Sequence, residues 1–189
     1  MVGAIVWLLP FFALAQGTAG TAPASVAQFH GVDAGVLPGN ILHSVERLIE
    51  RASVVLTRDP ERRAEREVRI ADERAAELDR VLERAAFEGG DERPVATALR
   101  EFDEQERRAS AHIEGAGERA EALDHAQAFR SVEQQVILDS VISFGGETVS
   151  AAASQVNARL EDEQTQRFSR IENPVVRVAL REQVVEHQL

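Results

Sequence analysis

The chain has no cysteine, no tyrosine and no lysine, and its one tryptophan and one methionine both fall within the first seven residues. Without thiols, neither disulfides nor a thiolate metal centre can hold the fold together. Packing of the 189 residues must do so, in one domain or two small ones. Aromatic side chains make up only 5% of the chain, too few for a broad sugar-stacking surface or an aromatic hot spot. Positive charge is scarce too. The 21 arginines face 32 acidic residues, and the net charge of −11 sets up a field that repels nucleic acid and anionic lipid. Nucleic acid is not expected as a partner.

Long apolar runs are lacking everywhere except at the start. Val2 to Ala15 is apolar and closes on Ala13-Leu14-Ala15, the small-x-small pattern of a signal-peptidase site. Interrupted by Pro10, the run falls short of the roughly 20 apolar residues that a spanning helix needs. Residues 1–15 are therefore expected to be a signal peptide, cleaved near Ala15/Gln16, which makes the protein extracytoplasmic, secreted or in the cell envelope. No charged side chain precedes Asp33, so the basic start usual for such signals is missing. An uncleaved N-terminus lying in the membrane is the alternative, and the one membrane contact expected. Residues 16–36, rich in Gly, Thr, Ala, Pro and Ser, read as a flexible linker.

Beyond the linker, apolar residues recur at spacings of three and four, and no segment alternates strictly. The expected fold is all-α, with antiparallel helical hairpins of long amphipathic helices in an elongated bundle. Asn40 is a good N-cap after Leu37-Pro38-Gly39. Ile41, Leu42, Val45, Leu48, Ile49, Ala52, Val55 and Leu56 then form an apolar stripe on one side of a helix, with Glu46, Arg47, Glu50 and Arg51 on the other. Asp59-Pro60 starts the next helix by cap and proline. Along it Ala64, Val68, Ala71, Ala75, Leu78, Leu82 and Ala85 form a narrow heptad seam that calls for a close partner helix. Glu65 with Arg69 and Arg63 with Glu67 are spaced to pair on a solvated face.

Gly89-Gly90 and Pro94 mark a hairpin turn, after which the apolar phase runs from Val95 through Phe102 and Ile113 to Phe129 and Ile142. Only Gly115 and Gly117 interrupt it. The expected form is one long helix shared by two hairpins, and a break at the glycines, folding the hairpins back into one compact bundle, is the alternative. Gly145-Gly146 turns the chain again. Val149, Ala153, Val156, Leu160 and Phe168 stripe a returning helix, and Asn173-Pro174 opens a last short one. Residues 37–117 thus form one hairpin domain and 118–189 a second helical hairpin region continuous with it.

Leu37-Pro38-Gly39, the run Leu56-Thr57-Arg58-Asp59-Pro60-Glu61-Arg62-Arg63-Ala64, and the Ala71-x-x-Arg74-x-x-Glu77-Leu78 heptads resemble a bacterial and archaeal domain-of-unknown-function family. That family occurs in exported or membrane-anchored proteins, some joined to anti-sigma-factor-like chains. The resemblance runs from Leu37 to Ala116 and leaves residues 118–189 outside it. His43 stands where the family usually has tyrosine, and Glu46 where it usually has lysine. The resemblance implies a helical, extracytoplasmic module and transfers no catalytic residue.

The sequence shows no nucleophile elbow, phosphate-cradling glycine loop or calcium loop. His30, His43, His112, His125 and His187 are scattered without ligand spacing. Glu121 and His125, one helical turn apart, are the only metal-ligand candidates, most simply read as a surface pair on an acidic protein. No catalytic residue, cofactor or enzymatic activity is expected. The expected role is an interaction, scaffold or envelope-sensing module that meets a protein partner, or itself, through amphipathic helices. A divalent-cation-binding helical protein and a membrane-anchored regulator of signalling are the alternatives.

Overall fold

The first three helices start where the sequence supplies a cap or a proline. The computed structural model describes residues 35, 37, 40–88, 91–117 and 120–170. The expected signal, nearly all of the linker, Gly89-Gly90 and the helix after Asn173-Pro174 lie outside these residues. Among the described residues there are five helices and no strand: α1 Ile41–Leu56, α2 Pro60–Glu88, α3 Arg93–Glu114, α4 Ala120–Phe144 and α5 Glu147–Arg170. The fold is all-α. Asn40 Oδ1 accepts the Leu42 N–H at 3.0 Å, Asp59 Oδ1 the Glu61 N–H at 3.0 Å, and Asp91 Oδ1 the Arg93 N–H at 3.0 Å. Each satisfies a backbone donor that the first turn leaves open. No described helix is long and apolar enough to cross a membrane.

α2 pairs with α3 and α4 with α5, and the two hairpins pack together through α2 against α4 and α3 against α5. Arg130 of α4 meets Asp72 of α2 at 3.1 Å, and Arg159 of α5 meets Asp103 of α3 at 2.8 Å. The helices run up-down-up-down, the simplest bundle topology for short connections. In the seam of α2, Ala64, Val68, Ala71, Leu78 and Leu82 are buried, Ala75 is buried and Ala85 half-buried. Ala75, Leu78 and Leu82 join Phe102, Leu138, Val141 and Leu160 in the larger apolar cluster. Ala64, Val68 and Ala71 meet Ala109, Ile113 and Ala116 in a smaller one at the other end. Glu67, expected on a solvated face, is instead buried, and its carboxylate accepts a hydrogen bond from Gln105 Nε2.

The long helix expected from Val95 to Ile142 does not form, and with it goes the elongated rod. α3 ends at Glu114 and α4 begins at Ala120. The Gly115 N–H turns back to the His112 carbonyl at 3.2 Å, the Ala116 N–H to Ile113 at 3.0 Å, and Gly117 takes φ +61°. Ala116 is fully buried and plugs the smaller cluster. The packing lost by breaking the helix is recovered when the second hairpin docks on the first, so two glycines suffice to select the compact form. Gly117→Ala should lower stability by about 1 kcal/mol, since a Cβ disfavours positive φ. Gly115→Ala, at φ −92° with only ordinary contacts around a Cβ, should not. Urea unfolding of the two variants measures the difference.

α4 also departs from its apolar phase. Gln127, Ser131, Gln134 and Gln135 are buried while Val136 is exposed. These amides and Gln164 of α5 form a polar layer between the two apolar clusters. Gln127 Nε2 and Gln134 Nε2 both donate to the Glu106 carboxylate at 2.6 Å. A layer of this kind fixes helix register, because sliding by one turn would strand buried polar groups.

Candidate functional site

α1 lies on the α2–α3 hairpin the opposite way round from an ordinary amphipathic helix. Leu42, Val45, Leu48, Ile49, Val55 and Leu56 of its apolar stripe are exposed, and no described residue covers them. Its polar side faces inward. The cause is the surface it meets: at this end the bundle presents buried charge, Arg74 and Glu77 being each 1% exposed. Buried charges need partners far more than a few methyl groups need burial.

The junction is built from three helices. His43 Nε2 lies 2.9 Å from Glu101 Oε2 of α3, and Arg47 Nη1 reaches the same oxygen at 2.9 Å as an ion pair without hydrogen-bond alignment. Arg74 of α2 clamps Glu77 Oε1 with one guanidinium nitrogen and Glu50 Oε2 of α1 with another. Glu77 Oε2 has no hydrogen-bond partner among the described residues. Burial holds the Glu77 carboxyl above its ordinary pKa although Arg74 pulls the other way. Burial also works against the Arg74 charge, but the Glu77 and Glu50 carboxylates outweigh it, and the guanidinium is held still more firmly charged. One ligand atom each from His43, Glu77 and Glu101 lie within 4.8 Å of one another, and this is the only such trio among the described residues. Beside it a cleft of about 500 Å³ opens between α1 and the bundle, lined by Arg51, Arg63, Arg108 and His112 among others.

The sequence-derived metal candidates lie elsewhere. His125 Nε2 is 3.8 Å from Glu121 Oε1 on α4, but among the described residues no third ligand joins them, and neighbouring Asp124 is engaged by Arg167 at 3.5 Å. The His43 trio was missed because its members come from three helices, and ligand spacing along one helix cannot show such a site. The nearest signal was Glu77 itself, an acid placed directly before a seam leucine.

A second buried acid sits inside the bundle. Glu106 is fully buried, and desolvation pushes its carboxyl up to about 7 against the pull of Arg167 and Arg159, with Asp72 adding to the rise. Gln127 Oε1 and Gln134 Oε1 have no donor among the described residues. A protonated Glu106 could supply one when either amide turns over.

These features define an all-α bundle module with a charged clamp for an outward-facing helix. The chain belongs to the family described as a domain of unknown function (DUF5667), which matches residues 35–179. The match takes in α4 and α5, whereas the resemblance read from the sequence runs only from Leu37 to Ala116. No curated protein and no solved structure matches the chain.

Proposed function

We propose that the protein is a non-enzymatic, extracytoplasmic interaction module that binds another protein through the outward apolar face of α1. The observation behind this is the exposure of Leu48 at 69%, Ile49 at 64%, Val55 at 76% and Leu56 at 78% along one helix face. Contiguous apolar surface of this kind marks an interaction site. A protein partner fits better than a lipid surface. Helices that lie in membrane interfaces carry a basic polar face and aromatic anchors. α1 has no lysine or aromatic residue, its charged side is turned into the bundle, and the chain carries a net charge of −11. An apolar helix face laid into a partner groove is a recurrent mode of recognition. The extracytoplasmic placement rests on Ala13-Leu14-Ala15 and on the resemblance to exported proteins.

Leu48→Asp tests the proposal. The side chain already stands in water, so stability should change by no more than about 0.5 kcal/mol. A photo-reactive side chain at position 52 should cross-link a protein in intact envelopes, and Leu48→Asp should abolish that product. A cross-link that survives the substitution, or forms to lipid alone, would refute the proposal.

A further inference from the structure

We propose that His43, Glu77 and Glu101 form a binding site for a first-row divalent cation of the zinc type, which fastens α1 to the bundle. The proposal stands independently of what docks on the outer face of α1. A tetrahedral zinc ion with N and O ligands at about 2.0–2.2 Å sets its ligand atoms about 3.3 Å apart. The three groups here already lie within 4.8 Å, His43 and Glu101 at 2.9 Å, so small side-chain rotations would enclose an ion. One imidazole and two carboxylates suit zinc, manganese or ferrous iron better than calcium or magnesium, which prefer all-oxygen sites.

Two independent observations point to a ligand. First, Glu77 Oε2 is buried without a hydrogen-bond partner among the described residues, although the other oxygen of the same carboxylate is held by Arg74. A buried unpaired carboxylate oxygen is costly, and a cation would satisfy it. Arg74 would then orient the ligating carboxylate, as groups behind metal ligands commonly do. Second, acids outnumber arginines immediately around the trio, while Arg51, Arg63 and Arg108 line the neighbouring cleft. Glu46, Glu50, Glu73, Glu77 and Glu101 face Arg47, Arg69 and Arg74. On cation binding, Arg47 would surrender the Glu101 oxygen it now approaches without hydrogen-bond alignment.

The test uses the full-length protein, with zinc and cobalt(II) as probes. Calorimetry should give saturable binding of one zinc per chain, and cobalt(II) should develop visible d–d absorption that zinc displaces. Both signals should disappear in His43→Ala and in Glu77→Gln and persist in His125→Ala. Should His43→Ala fail to fold, Glu77→Gln decides the matter, because it keeps the shape and removes the acid. In the unsubstituted protein the His43 imidazole resonances should shift with added zinc. Absence of saturable binding, binding lost only in His125→Ala, or unmoved His43 resonances each overturn the proposal.

Discussion

Leu78→Asp is expected to leave the protein without a cooperative melt. Leu78 is fully buried in the larger apolar cluster with Leu82, Phe102 and Leu138. The substitution forfeits about 2 kcal/mol of apolar burial and places a carboxylate inside an apolar cluster, at a further cost of several kcal/mol. Total stability of a domain is about 5–15 kcal/mol, so little or none remains. Leu82→Asp should behave alike. Arg80→Ala, on the exposed side of the same helix, should stay within about 0.5 kcal/mol of the parent. Circular dichroism melts decide: equal melting temperatures for Leu78→Asp and Arg80→Ala would mean that the seam is not buried.

Stability should fall as pH rises from about 4.5 to above 7, the reverse of ordinary acid denaturation. The Glu106 carboxyl titrates near 7 when folded against an ordinary value of 4.5, so between these values the folded state holds a proton that the unfolded chain releases. Its contribution is fully present below about 4.5 and is lost as pH rises through about 7, an effect on the order of 3 kcal/mol. Burial raises Glu73, Glu77 and Asp124 as well, and these add slope of the same sign. Glu106→Gln should remove the Glu106 part and make the protein more stable than its parent at pH 8, one of the neighbouring amides turning over to accept from the new one. Urea unfolding at pH 5 and pH 8 reads both effects. Parallel pH profiles for the two proteins would show that Glu106 is ionised throughout.

Local signals carried most of the fold. A cap at Asn40 or a proline after Asp59 acts within one helical turn, and the α2 seam repeats often enough that Ala64 to Leu82 could be assigned to a partner helix from spacing alone. Three things were not legible. The break at Gly115–Gly117 depends on the second hairpin having somewhere to dock, which is a property of the whole bundle. The orientation of α1 depends on Arg74 and Glu77 being buried at the surface it meets, and periodicity within α1 carries no information about that surface. The inward amides of α4 read as polar in any hydropathy count, and only the arrival of Glu106 from α3 makes them interior. The His43–Glu77–Glu101 trio shares the second cause, since it exists only once α1 has settled by its charged side.

The turn at Gly115–Gly117 also sets the order in which the molecule can assemble. With the chain reversed there, the closest packing is between sequence neighbours, α2 with α3 and α4 with α5. Helical domains with such short loop closures fold in microseconds to milliseconds. The first hairpin carries most of the smaller apolar cluster, from Ala64 to Ala116, and can gather while the rest of the chain is still being made. Glu106 keeps its water until Gln127 and Gln134 arrive with α4. Docking of the second hairpin is therefore the step that dehydrates this carboxyl, and refolding followed by stopped flow should slow as pH is raised from about 4.5 to about 7 while formation of the first hairpin does not.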